Sequence, residues 1–375
     1  MAKLRVMTIL GTRPEIIRLS RVMAKLDQYT EHTLVHTGQN YAFALSEVFF
    51  KELGIRLPDH QLACPGKTTI ETIANILQAV DGLIKDVKPE AVLILGDTNS
   101  SLAAYAAKRR KVPIFHMEAG NRCFDQNVPE EINRKIVDHL ADINMPYSER
   151  ARENLIKEGF SPDRIITTGS PMKEVLDFYA SEINRSDVVS RLKLTLHDYF
   201  VFSAHREEHV DDPMALEKIA KILAAVAQAT KKRIIFSCHP RTRLRLDAMG
   251  TLPALVEVVE PFGFFDFIRV QRDSQAVISD SGGLTEESLL LNFPAVSIRQ
   301  SYERAEGMDE AGVILGNLDA NSVLNALAVL KEQRSAASRV VNVPREYDVD
   351  NVSEKVVRTL MSFTDYARRK VWGVR

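Results

Sequence analysis

The residues able to do chemistry in this chain cluster where short apolar runs stop. In the first half the runs end in Gly96-Asp97-Thr98-Asn99 and in His116-Met117-Glu118-Ala119-Gly120, and Pro129-Glu130-Glu131-Ile132-Asn133-Arg134 follows. Carboxylates such as Asp97, Glu118 and Glu130 can act as general acid and base when burial and mutual repulsion separate their pKa values. The plainer reading is also open: Asp97 as a helix cap and the Glu130/Glu131 pair as helix-start charges. Spacing does not decide which of Glu130 and Glu131 faces a site. In the second half the ends are cationic and glycine-rich. His205 and Arg206 follow one run, Cys238-His239-Pro240-Arg241 the next, and Ser279-Asp280-Ser281-Gly282-Gly283-Leu284-Thr285-Glu286-Glu287 a later one. A run breaking into Ser281-Gly282-Gly283 and then a helix exposes backbone N–H groups that can cradle phosphate. Glu287, one turn on, is spaced to accept from both hydroxyls of a ribose, and Arg299 and Arg304 add charge for a diphosphate. Near the start, Gly11-Thr12-Arg13-Pro14-Glu15 places Arg13 and Arg18 at another helix N-terminus.

These ends need strands and helices to hold them. Continuous apolar runs at residues 4–10, 33–37, 91–95, 113–117, 143–145 and 164–168 read as strands of a parallel sheet covered on both faces. A second set lies at 199–203, 233–237, 255–259, 276–279, 295–298 and near Val313. Amphipathic helical stretches separate them, as around Leu216, Ile219, Leu223 and Val226. Strand–helix alternation run twice predicts an α/β chain of two Rossmann-like domains facing across a cleft. The expected N-terminal domain is 1–180 and the C-terminal, nucleotide-binding domain 181–355, with 356–375 a helix packing back on the first. Ligands of such sheets sit beyond the carboxyl ends of the strands.

Composition removes other classes. Lys and Arg total 49 against 50 for Asp and Glu, so no global basic excess draws nucleic acid or an anionic membrane. The 3 cysteines are far apart and offer neither a zinc framework nor a disulfide scaffold. His205, His209 and His239 lack the ligand spacing of a metal site, so no metal is expected. The opening MAKLRVMTILGTRPE turns polar too early for a signal peptide, and no apolar stretch approaches the roughly 20 residues that span a bilayer. A cytoplasmic enzyme is expected. Neither GxGxxG nor a Walker A loop is present, so no dinucleotide cofactor is expected.

Taken together and in order, GTRPE, GDT, EAG, PEE-NR and SDSGG-TEE resemble the non-hydrolysing UDP-N-acetylglucosamine 2-epimerase family across nearly the whole chain. The variants GTRPEIIRLS, TGQN, SAHREE, CHPRT and SFTDYARRKVW are similar to its UDP-N-acetyl-L-fucosamine synthase branch, which acts at C2 of UDP-2-acetamido-2,6-dideoxy-L-talose. The resemblance implies a glycosyltransferase-B-like fold, a homodimer and no cofactor. It implies elimination of UDP across C1–C2 to a 2-acetamido-glycal, then re-addition with the proton delivered to the opposite face. It gives the proton steps to Asp97, Glu118 and Glu130, and His205 a place at the phosphate or leaving group. Arg13, His239, Ser281, Gly282, Gly283, Glu287 and Arg304 would bind UDP, with Phe262 and Phe267 lining the uracil. Three positions depart from the pattern. Arg18 replaces the family's lysine, Gln39-Asn40 replaces a Gln-His pair tied to allosteric binding, and His209 stands in place of asparagine. A glycosyltransferase, a hydrolysing epimerase and a catalytically dead sugar-nucleotide sensor are the rival readings.

Overall fold

A computed structural model describes residues 3–39, 43–238, 240–249, 252–334 and 339–373. The chain divides into one unit of Met1–Phe178 with Arg345–Arg375, and a second of Tyr179–Pro344.

The first unit is built on a six-stranded sheet: β1 (Arg5–Leu10), β2 (Glu31–His36), β3 (His60–Gln61), β4 (Ala91–Leu95), β5 (Ile114–Met117) and β6 (Ile143–Met145), in the order β3-β2-β1-β4-β5-β6. Every pairing in it is parallel. The apolar run at 164–168 is no strand: Ile165 makes a single bridge to Asn144 and the chain moves off. β3 is too short to announce itself. The core packs Met7, Ile9, Val92 and Ile94 against Ile76, Val80 and Ile84 of the Thr69–Val87 helix. Helix Val352–Trp372 closes the unit by packing on helix Arg13–Tyr29. The Glu174 carboxylate accepts the Ser353 N–H at 2.8 Å, tying that helix's start to the sequence before the second unit.

The second unit repeats the plan with β7 (Tyr199–Ser203), β8 (Arg233–Ser237), β9 (Val256–Val259), β10 (Ala276–Ser279), β11 (Ala295–Ser297) and β12 (Ile314–Leu315), in the order β12-β11-β10-β7-β8-β9. All of these pairings are parallel as well. Phe200, Phe202, Ile234 and Phe236 fill one hydrophobic cluster, while Tyr199, Val201 and Ile235 fill another. Alternate side chains of one strand thus reach two separate cores, which is why the runs are apolar throughout. In each sheet the order reverses once, between β1 and β4 and between β10 and β7. Such a reversal splays the flanking loops apart and leaves a crevice at the strand ends.

Candidate active site

At the first reversal, Gly11 follows β1 and Gly96 follows β4. A Cβ on Gly11 would come within 2.1 Å of Ser100 Oγ and 2.3 Å of Thr37 Oγ1, so only glycine fits. The helix that follows buries Glu15 completely beneath this turn. Its carboxylate accepts the Gly11 N–H (3.0 Å), the Thr12 N–H (2.7 Å), the Thr12 hydroxyl (2.7 Å) and, across the crevice, the Thr98 hydroxyl (3.2 Å). Burial pushes the Glu15 carboxyl up to about 7, against the pull of those donors. Arg13 lies 5.7 Å from the centre of the Phe49 ring, and burial lowers its pKa. Arg18 is buried on the same helix.

Asp97 does not act as the cap of the 3-10 turn Asn99–Ala103, whose N-cap is Thr98. Its carboxylate meets Arg134 instead, with Nε at 2.9 Å and Nη2 at 2.6 Å. Arg134 also reaches Glu131 at 3.2 Å, so one guanidinium spans both carboxylates. Glu131 is fully buried, accepting the Cys123 N–H at 3.0 Å and facing Lys135 Nζ at 3.3 Å, while its neighbour Glu130 is half-buried.

Glu118 follows β5 with φ at +66°, a left-handed conformation that costs a non-glycine residue about 1–3 kcal/mol. The turn brings its Oε2 to 3.6 Å from where a Cβ of Gly96 would stand, directly beside the backbone that carries Asp97. Buried supports hold this corner. His116 places Nε2 2.8 Å from the Gly96 carbonyl and Nδ1 2.9 Å from Asp138. Asp138 also meets Arg122 at 2.8 Å and accepts the Gly120 N–H at 3.1 Å. Burial would raise the Asp138 carboxyl, but His116 and Arg122 hold it below the usual carboxylate range.

At the second reversal Asp280 is the organiser. Its buried carboxylate accepts the backbone N–H groups of His205 and Arg206, both at 3.1 Å to Oδ2, and faces Nδ1 of His205 at 3.1 Å and of His209 at 3.0 Å. Burial opposes ionisation of Asp280, yet the two imidazoles carry its pKa far below the ordinary value. With Nδ1 of His205 turned to Asp280 and 54% of the side chain exposed, its Nε2 is the nitrogen left to face a ligand. Position 209, the departure from the family pattern, is a second imidazole on the same carboxylate.

The Ser281-Gly282-Gly283 turn opens onto helix Leu284–Leu291. Glu287 accepts from Gln271 Nε2 at 3.0 Å, which fixes the carboxylate beside that turn. Arg304 is buried against Glu286 at 2.8 Å, while Arg299 and Arg206 converge on Glu303. Phe262 and Phe267 are partly buried against the hydrophobic cluster around Val270 and Leu284. His239 lies outside the described residues. Among the described residues no group of His, Cys, Asp and Glu is arranged to hold a metal ion.

A family model described as UDP-N-acetylglucosamine 2-epimerase matches residues 24–361. The chain belongs to that family. The epimerase is 43% identical to the solved structure of UDP-N-acetylglucosamine 2-epimerase from Rickettsia bellii, covering 99% of this chain and 100% of that one with a TM-score of 0.93. The Methanocaldococcus jannaschii enzyme, solved in complex with UDP-GlcNAc and UDP, is 29% identical with a TM-score of 0.89, over 96% of this chain and 100% of that one. A curated relative from Pseudomonas aeruginosa, UDP-2,3-diacetamido-2,3-dideoxy-D-glucuronate 2-epimerase, is 36% identical over 81% of this chain and 85% of that one. The fold is glycosyltransferase-B-like, with two parallel-sheet α/β domains. Among the described residues no helix is long and apolar enough to cross a membrane.

The epimerase's strand ends also hold groups that the sequence reading passed over. Glu15 sits in the first turn of a helix, where an acidic residue needs no explanation beyond the dipole. Its carboxylate also accepts from Thr98, which the chain reaches only after three more strands. Arg134 was visible in PEE-NR, but its bridging of Asp97 and Glu131 was not. Asp280 lies within SDSGG, and its partners His209 and His205 are 71 and 75 positions away.

Proposed function

We propose that this UDP-sugar 2-epimerase acts on UDP-2-acetamido-2,6-dideoxy-L-talose, interconverting it with UDP-N-acetyl-L-fucosamine. The branch-specific variants GTRPEIIRLS, SAHREE and CHPRT support that substrate. UDP-N-acetylglucosamine is the second reading, favoured by the 43% identity to the Rickettsia enzyme of that name. The C2 hydrogen of a 2-acetamido sugar is a poor acid, so simple deprotonation and return is a slow route. Elimination is the better one. A base takes the C2 proton as the C1–O bond to UDP breaks, giving the 2-acetamido-glycal and UDP. The β-phosphate oxygen then adds back to C1 while an acid delivers a proton to the other face of C2.

The observation that carries the chemistry is the Asp97–Arg134–Glu131 array with Glu118 beside Gly96. In this reading Asp97, Glu118 and Glu130, with Glu131 able to exchange roles with Glu130, serve the proton steps. Arg134 holds Asp97 in place. His205, oriented by Asp280, meets the leaving phosphate. Ser281, Gly282, Gly283, Glu287 and Arg304, with Arg13, Arg18 and His239, bind the UDP portion, and Phe262 and Phe267 flank the base. Neither a metal nor a redox cofactor enters this chemistry. The same reading carries a homodimer, a cytoplasmic site of action and a product destined for a bacterial surface polysaccharide. Asp97→Asn tests the assignment: epimerisation should be lost while UDP still binds, and unchanged turnover would remove Asp97 from the proton steps.

A further inference from the structure

The diphosphate cradle of the second unit already holds an anion of its own. Glu303 receives Arg299 in two-pronged fashion, Nη2 to Oε1 at 2.7 Å and Nη1 to Oε2 at 3.2 Å, and Arg206 Nη2 donates to the same Oε1 at 3.1 Å. The carboxylate lies over the phosphate turn itself, with Oε2 3.1 Å from where a Cβ of Gly282 would stand. All three side chains are well shielded, at 10, 6 and 14% exposure for Glu303, Arg299 and Arg206. A guanidinium grips a carboxylate and a phosphate through the same fork of N–H donors. One unit of negative charge at a glycine turn, gripped by two arginines, is the arrangement a phosphoryl group would take.

We propose that Glu303 is an internal stand-in for the diphosphate, and so a specificity-determining residue of the UDP subsite. The inference rests on the reading of the Ser281–Gly283 turn as that subsite. An incoming diphosphate must exchange with Glu303 on Arg206 and Arg299 before it can seat. A diphosphate carries more charge than the carboxylate it displaces and wins the exchange, whereas a singly charged anion does not. Glu303 also spares the free protein two adjacent unneutralised guanidinium groups. Affinity for UDP is therefore the difference between two anion sites, and it is set below what the arginines alone would give.

The test is calorimetric titration of UDP and of inorganic pyrophosphate into the full-length enzyme and into Glu303→Gln. Glutamine keeps the shape and one acceptor but not the charge. The variant should bind both ligands about tenfold more tightly, the size of one charge-assisted contact no longer displaced. Its ligand-free form should melt below the parent, and saturating UDP should raise its melting temperature by more than it raises the parent's. If Glu303→Gln does not fold, Glu303→Asp, which shortens the reach to the arginines, should show the same signs with a smaller gain. UDP binding by the parent with equal or weaker binding by the variant would overturn the role of Glu303 alone. Failure of the parent to bind either ligand would overturn the nucleotide subsite itself.

Discussion

The two units share one sheet topology and differ in what they place at its turning point. At the ends of β1, β4 and β5 the first unit gathers carboxylates, Glu15, Asp97, Glu118 and Glu131, two of which, Asp97 and Glu131, share the guanidinium of Arg134. At the ends of β7 and β10 the second gathers imidazoles, guanidinium groups and a glycine turn around Asp280 and Glu303. The scaffold fixes where chemistry occurs, and the few residues after each strand fix which chemistry. Proton transfer needs carboxylates whose environments differ, and the first unit supplies a fully buried, a half-buried and a strained one. Holding a leaving diphosphate needs cations, and the second unit gathers guanidinium groups beside its glycine turn.

That division can be broken one residue at a time. The largest effect should come from Asp97→Asn, with turnover falling by about 10²–10⁴, the usual worth of a proton-transfer group. UDP affinity, measured by calorimetry, should stay within about twofold. A parallel loss of UDP binding would erase the contrast between a chemical unit and a binding unit. Next comes Asp138→Ala, which removes the buried carboxylate that His116 and Arg122 share, while Arg122 keeps its pair with Glu158. Unfolding by urea should report a loss of about 3–5 kcal/mol, as for a buried pair deprived of one partner. A loss well under that would mean the His116–Asp138–Arg122 support does not hold the β5 corner.

Glu287→Ala belongs to the other unit and should weaken UDP by about tenfold, the cost of a lost hydrogen bond to a diol. Turnover at saturating substrate should be nearly unchanged, and an unaltered UDP affinity would remove Glu287 from the ribose. The smallest effect should come from Glu15→Gln. Because the folded pKa is raised to about 7 from 4.5, the stability linked to this group is present below about 4.5 and lost as pH rises through about 7. The glutamine variant should therefore lose that decline, its melting temperature falling by about 2–4 °C less than the parent's between pH 5 and 8. Identical pH profiles would show that Glu15 does not titrate in this window.

Much of this was legible in the sequence because parallel strands buried on both faces are uninterrupted apolar runs that stop at Gly, Asp or Ser. β4, β7, β8 and β10 run from the residue expected to the residue expected. The run at 164–168 has the same composition but gains only the Asn144–Ile165 bridge, since pairing is a property of neighbours and not of the segment. β3 has two residues and no pattern to read. Asp97 and Glu118 were visible as polar residues at strand ends. Their partners were not, because Arg134 meets Asp97 across 37 positions and Arg206 meets Glu303 across 97. Spacing along a chain reports helical and strand neighbours, and it carries no record of contacts made between loops.

Elimination and re-addition require that the hydrogen at C2 of the UDP-amino sugar be exchanged. Proton NMR in D2O tests it most directly, with UDP-2-acetamido-2,6-dideoxy-L-talose and UDP-N-acetylglucosamine offered separately to the purified enzyme. Deuterium should enter C2 of the first sugar as an L-fuco product appears, with no such exchange in the second. Exchange in UDP-N-acetylglucosamine alone would keep the chemistry and replace the substrate. No exchange in either, with UDP still bound, would contradict that route.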